Sequence, residues 1–310
     1  MLTVAGGGVA CQTAPMTQAQ STLRAALWMG GSIASFLLMT VAGRAVMPAL
    51  EVFQVMEMRS VIGWLIMLPL VFASGGFAAM GTRRPLQHIG RNVIHYAGQY
   101  AWMMALTMIP LAELMSIEFT SPIWGALLAV FFLGERVSVR KLAAILFGLV
   151  GVLIIVRPGV TTAVPGHLII LAGAVFFATA TVMVKSLTRT DSVVVIVFWM
   201  LIIQSAIGLI PAIAVWRAPS PEMWPWILII SFTGMSSHFC AARALSYAEA
   251  TVVMPMDFLR LPLSALIGFL LYSEQIDVFT AIGAALILSG NLFNLQRHAR
   301  KPLEIEIETS

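Results

Sequence analysis

Charged side chains are scarce in this chain. Only 10% of its 310 residues are Asp, Glu, Lys or Arg, where a soluble domain carries about 25%. Cysteine is scarcer still. Cys11 and Cys240 are too few for a disulfide framework, and Cys240 lies in an apolar run, so disulfides are expected to play no part. No G-x-x-x-x-G-K-[ST] loop is present to cradle ATP phosphates. No H-E-x-x-H, C-x-x-C or EF-hand loop is present to hold a metal, and no G-x-S-x-G elbow to carry a nucleophile. No Arg-rich voltage-sensing helix occurs. These absences exclude ATP-driven transport by this chain and the common hydrolases, and the sequence calls for no metal and no cofactor. The basic excess is four charges, without a basic stripe interleaved with aromatics, so no nucleic-acid partner is expected.

Apolar residues are abundant instead, at 59% of the chain with a mean hydropathy of +0.93. A soluble globule of this size could not hide that much apolar surface, and what remains is a polytopic membrane protein. Residues 1–20 lack an early basic cluster and a continuous apolar core, so they do not read as a signal peptide. Residues 1–21 are expected to form a disordered tail. From Arg24 onward, apolar stretches close to the ~20 residues a bilayer requires recur ten times, near 24–43, 51–74, 91–109, 112–133, 139–156, 167–186, 192–216, 224–245, 250–272 and 278–296. Lipid demands internally satisfied backbones, and runs without period-2 alternation choose helices over barrel strands. The expected fold is an all-α membrane protein of ten transmembrane helices.

With the N-terminus placed in the cytoplasm, thirteen of the 18 basic residues fall on inner segments. Three, Arg44, Arg157 and Arg217, fall on outer ones, and Arg59 and Arg260 lie inside spans. That bias predicts cytoplasmic N- and C-termini.

Sliding the sequence on itself by 139 positions aligns 98–157 with 237–296 without a gap, with eleven identities. Apolar identities are cheap in such a chain, so the acids carry the argument: Glu135 matches Glu274, and Glu118 matches Asp257. Five spans per half is an odd number, so the second half must enter the membrane upside down. The predicted architecture is therefore two inverted five-helix repeats, at 22–158 and 159–297, followed by a cytoplasmic tail at 298–310. Inverted repeats are the architecture of secondary transporters, with the solute held near the midplane.

Two stretches, Phe119-Thr-Ser-Pro-Ile-Trp-Gly-Ala-Leu-Leu-Ala-Val-Phe-Phe-Leu-Gly-Glu135 and Gly148-Leu-Val-Gly-Val-Leu-Ile-Ile-Val-Arg-Pro158, resemble the fourth and fifth helices of the EamA-type branch of the drug/metabolite transporter superfamily. Val253 through Gly268 to Glu274 resembles the ninth, and Arg59 the arginine often found in the second. The resemblance covers residues 22–297. It implies a transporter of amino acids, vitamins or similar metabolites in the bacterial inner membrane, and places the fifth and tenth helices at the periphery. Their small residues, Gly148, Gly151, Gly283, Ser289 and Gly290, allow close helix contact, and a homodimer through them is one use of it.

Charges inside lipid cost about 2.5 kcal/mol or more each and need partners or water. Glu57, Arg59, His95, Glu118, Asp257, Arg260 and His238 are therefore the candidates. Glu57 and Arg59, two apart, point to different sides of their helix. Asp257 and Arg260, three apart, share a face and can pair. The expected charge pairs are an outer Arg59–Glu118 and an inner Asp257–Arg260. Asn92, His95, Gln99 and Trp102 recur at helical spacing and form a polar stripe that must avoid lipid; by the repeat, His238 corresponds to Gln99. His95 and the two acids are the protonatable candidates for coupling. The substrate-binding set is Arg59, Asn92, His95, Gln99, Trp102, Glu118, His238, Asp257 and Arg260. Aromatics beside charges of both signs suit a small amphoteric or aromatic metabolite. The rival readings are an intramembrane enzyme using the histidines and acids, and a membrane scaffold or receptor that transports nothing.

Overall fold

The computed structural model describes residues 18–133, 139–157, 164–248, 250–275 and 277–295. Among these lie twelve α-helices and no strand. They are α1 Gln18–Val46, α2 Val52–Ala73, α3 Pro85–Leu106, α4 Leu111–Glu118, α5 Ser121–Leu133, α6 Val139–Val156, α7 Pro165–Leu187, α8 Val193–Ala214, α9 Trp224–Tyr247, α10 Ala250–Asp257, α11 Arg260–Tyr272 and α12 Val278–Leu295. Local chemistry sets several boundaries. Proline occupies the first turn of α3, α7 and α9, where its missing N–H costs nothing. Ser192 caps α8 by accepting from the Val195 amide. Ser273 closes α11 in a left-handed conformation, which lets the Glu274 amide reach the Gly268 carbonyl at 3.0 Å. The first helix begins at Gln18, inside the expected tail; Glu135, the 298–310 tail and most of residues 1–21 lie outside the described residues.

Each of the ten expected apolar stretches holds a helix, but two of them hold a pair. The stretch 112–133 breaks at Phe119-Thr120, and 250–272 breaks at Phe258-Leu259. Proline explains both interruptions. Pro122 and Pro262 lack the amide that would bond back to Glu118 and Phe258, four residues earlier. The Leu261 amide turns to the Phe258 carbonyl at 3.1 Å, and Asn291 of α12 donates to the Phe119 carbonyl at 2.7 Å. The bounds of α4 and α5 differ from those of α10 and α11 by the 139-residue offset of the sequence repeat throughout.

Among the described residues, six segments are long and apolar enough to cross a membrane: Ser21–Val46, Val52–Ala73, Pro165–Val184, Val193–Ala214, Pro221–Ala244 and Pro255–Tyr272. Ile145–Val156 and Val278–Leu292 are shorter apolar helices. The helix α3 is missing from the six because Arg91, Asn92, His95 and Gln99 lie along it. Leu65, Phe72, Ile210, Ile213, Phe269 and Leu271 stand exposed on the outside, whereas Gln54, Glu57, Arg59, Asn92, His95, Gln99 and Gln204 are buried. Polar groups inside and apolar groups outside is the distribution lipid requires.

The helices pack in a reciprocal pattern. The helix α1 runs along α9, α3 along α7, α2 along α8, α6 along α12, and α4 against α11. Every one of these contacts joins a helix from before residue 158 to one from after it. Two glycines make the α6–α12 contact close. A β-carbon on Gly151 would sit 2.7 Å from the Gly283 carbonyl, and one on Gly283 would sit 2.6 Å from the Gly151 carbonyl. Within the chain, then, these small residues serve α6 against α12.

Candidate polar translocation site

The two helix breaks meet in the interior. Phe119 and Phe258, one at each break, pack edge to face with centroids 5.5 Å apart. Arg260, the first residue of α11, therefore projects between the breaks. Its guanidinium lies 3.2 Å from Glu118 and 3.3 Å from Asp257, and it stacks over the Phe36 and Phe119 rings at 4.1 and 4.8 Å. Glu118 has a second donor, the Trp102 indole N–H at 2.7 Å, and Trp102 packs edge to face on Phe36 at 5.4 Å. The expected Asp257–Arg260 pair is thus formed. The expected Arg59–Glu118 pair is not. The α4–α11 contact brings Arg260 to Glu118 and Trp102 occupies its other oxygen, so one cluster replaces the two separated pairs that the sequence suggested.

Arg59 is differently placed. It is buried in α2 against Gly234, and its guanidinium reaches the Met39 sulfur at 4.0 Å. Among the described residues no carboxylate lies within ion-pair distance of it. Glu57, two residues earlier, points to α8 and accepts from Ser205, in line with the angular argument from sequence. The α3 stripe faces protein along its whole length, as expected. The Asn92 amide donates to the His88 carbonyl at 2.8 Å, and Asn92 Oδ1 accepts from Arg91 at 2.8 Å. Gln204 of α8 donates to His95 Nδ1 at 2.9 Å. The His95 ring packs on Phe177 of α7 at 5.6 Å and on His238 of α9 at 6.0 Å. Gln99 is buried with its carbonyl oxygen unpartnered.

His238 marks accessible space within this interior. Ser231, Gly234 and His238 share one face of α9, three and four residues apart. Ser231 and Gly234 are buried, yet His238 is exposed while its ring abuts buried His95. The buried face of α9 therefore opens onto solvent-accessible volume at His238.

Both ends of the polar column are tied by charge. At one end Arg44 donates to the Leu106 and Ile109 carbonyls at 2.9 and 2.8 Å, pairs with Glu274, and lies over the Tyr272 ring at 4.7 Å. Glu274 also accepts from the Leu111 amide at 2.8 Å. His167–Glu113 and Arg157–Asp277 stand at the same end. At the other end Asp191 accepts from His88 and from Thr82, both at 2.7 Å. Burial opposes the charge on Asp191, but the hydrogen bonds from His88 and Thr82 outweigh it and hold the carboxyl below the ordinary carboxylate range.

A sequence profile of the EamA-like transporter family matches residues 23–157 and again 164–296. The chain belongs to the EamA-like transporter family. An S-adenosylmethionine uptake transporter of Rickettsia felis is 27% identical over 244 residues, covering 79% of this chain and 83% of that protein. A riboflavin transporter of Rhizobium johnstonii is 32% identical over 231 residues, covering 73% and 76%. A solved crystal structure of a protein at 20% identity superposes with a TM-score of 0.61 over 89% of this chain and 99% of that one, which shows a shared fold. This EamA-like protein is an integral membrane protein of a transporter family, not an enzyme.

Of the nine residues singled out from sequence, Trp102, Glu118, Asp257 and Arg260 come together at the breaks, and Asn92, His95, Gln99 and His238 line the interior beside them. Arg59 is buried but joins neither carboxylate. Reading the sequence missed Arg44, Arg91, Tyr96 and Gln204. Arg91 carried a usable signal, since it precedes His95 by four residues and so lies on the polar side of its helix. Arg44 carried another, as a basic residue on the side that has only three.

Proposed function

We propose that this EamA-like protein is a secondary transporter that moves a small amphoteric metabolite, amino-acid- or vitamin-like, through the bacterial inner membrane by alternating access. The observation that carries the reading is the cluster at the paired helix breaks. Arg260 is buried and Glu118 and Asp257 are partly buried among aromatic rings at the interruptions of apolar helices, where charge is costly unless it serves a path. Interrupted helices that expose polar groups at membrane depth are how transporters build a solute site.

The matching bounds of the two interrupted pairs support an inverted pair of five-helix repeats, as does the reciprocal packing of α1 with α9 and α3 with α7. Exchange of conformation between two such halves provides an inward-open and an outward-open state. With both termini cytoplasmic, the Arg44–Glu274 tie closes the periplasmic end, and the accessible space at His238 belongs to the cytoplasmic side. Arg59, Asn92, His95, Gln99, Trp102, Glu118, His238, Asp257 and Arg260 line the path. A homodimer is compatible with this arrangement and not required by it.

The test is counterflow in proteoliposomes, with S-adenosylmethionine, riboflavin and aromatic amino acids as first solutes. Labelled solute should enter vesicles preloaded with unlabelled solute and fail to enter preloaded vesicles that lack the protein. Chemical conversion of solute without vectorial movement would overturn the reading.

A further inference from the structure

The charges along the column are unevenly compensated. At the breaks, two carboxylates face one guanidinium. Deeper in, the balance reverses. Arg59 and Arg91 are each 7% exposed. Neither has a carboxylate within ion-pair distance among the described residues. Arg59 touches a thioether, whereas among the described residues Arg91 donates to the Asn92 side-chain carbonyl and leaves its Nε unpartnered. Arg91 lies four residues before His95 on α3, Arg59 packs on Gly234 four residues before His238 on α9, and the rings of His95 and His238, the residue at which accessible space begins, are 6.0 Å apart. On the same helix as Arg91, the buried oxygen of Gln99 and the hydroxyl of Tyr96 have no hydrogen-bond partner among the described residues. Glu57, two residues before Arg59 in the chain, is turned to Ser205 on α8. Two buried guanidinium groups without counter-ions are a large cost unless an anion arrives.

We propose that Arg59 and Arg91, facing the space at His238, form an anion subsite for the carboxylate or phosphate of the transported solute. The solute's apolar or cationic end lies toward the Phe36, Trp102 and Glu118 side. Guanidinium groups suit either anion because both present oxygens to a planar fork of donors. This inference rests on the transporter reading and adds the polarity with which the solute is held.

The test uses the full chain in proteoliposomes, with Cys11→Ser and Cys240→Ser, and His238→Cys as reporter. The probes are anionic sulfonatoethyl and cationic trimethylammonioethyl methanethiosulfonate, with rates normalised to free 2-mercaptoethanol. The anionic reagent should react about ten-fold faster than the cationic one, as a cavity potential of a few kT produces. Arg59→Gln with Arg91→Gln should bring the ratio near one. Acetate and inorganic phosphate, added separately, should slow the anionic reagent, and the more effective of the two identifies the anion preferred. A normalised ratio at or below one, a ratio indifferent to the two substitutions, or failure of both reagents to reach residue 238 would each overturn the subsite. Anion selectivity without counterflow would leave the subsite standing and remove the transport reading. Counterflow without selectivity would do the reverse.

Discussion

Arg260 and Arg59 are both buried arginines in membrane-length helices, yet their surroundings are opposite. Arg260 has two carboxylates and two aromatic faces. Arg59 has a methionine sulfur and a glycine. The first is paired with two acids and stacked on two rings, so removing it leaves Glu118 and Asp257 without that cation. The second is held by shape alone, so removing it relieves an uncompensated charge. On the proposed reading, the difference separates a fastener, which joins the two halves at their breaks, from a receptor for the solute's anion.

The sharpest way to break that comparison is to neutralise each arginine alone. Arg260→Gln should destabilise the protein by about 3–5 kcal/mol, the usual consequence of deleting one partner of a buried ion pair. Arg59→Gln should leave thermal unfolding in detergent unchanged or slightly raised, while cutting counterflow at least about ten-fold, roughly 1.4 kcal/mol of lost binding. Equal destabilisation by the two substitutions would place Arg59 among the structural fasteners. Adding Glu118→Gln to Arg260→Gln should recover part of the loss, because the stranded carboxylate goes with it.

Trp102→Phe sharpens the fastener side. The substitution keeps the edge-to-face contact with Phe36 and removes the N–H donated to Glu118, so the expected loss is about 1.5–3 kcal/mol, typical of a hydrogen bond to a charged group. Thermal unfolding measures it. A loss under roughly 0.5 kcal/mol would mean that Arg260 alone satisfies Glu118.

What the sequence could disclose follows from the same physics. Helix positions were legible because lipid imposes one length and one periodicity, and proline and serine mark the ends of α3, α8 and α9. The repeat was legible through Glu118 and Asp257, where charge is rare enough for a match to carry weight. The Asp257–Arg260 pair was legible because it is local to one helix. The partner of Glu118 was not. Arg59 and Arg260 were both plausible cations, and only the crossing of α4 with α11, a contact between residues more than 130 positions apart in the chain, decides between them. The breaks themselves were written in Pro122 and Pro262, but a proline inside a membrane helix can also be absorbed as a kink. Arg91 read as a terminal basic residue because its burial depends on how α7, α8 and α9 surround α3.

The Arg44–Glu274 tie extends the comparison to the ends of the column. Glu274→Gln keeps the side chain's size and the two carbonyl bonds made by Arg44, and it removes the charge pair. The pair is only partly buried, so its contribution is about 1 kcal/mol, which should shift a two-state equilibrium roughly five-fold toward opening at that end. A cysteine at the buried Leu50 should then react faster with a membrane-impermeant maleimide. Unchanged reactivity would make the tie a static brace.

The smallest expected effect lies at the opposite end, in the pH dependence of Asp191. Its carboxyl is held below the ordinary range because the bonds from His88 and Thr82 outweigh the opposing effect of burial. A carboxylate depressed in the folded state contributes its stability in full above the unfolded value, near pH 4, and loses it as pH falls through the folded value. The difference in unfolding midpoint between the wild type and Asp191→Asn should therefore be constant from pH 7 to pH 5 and shrink below pH 4. A difference that persists unchanged to pH 3 would show that the Asn side chain lacks packing or geometry rather than charge, and that this end is closed by shape where the Glu274 end is closed by an ion pair.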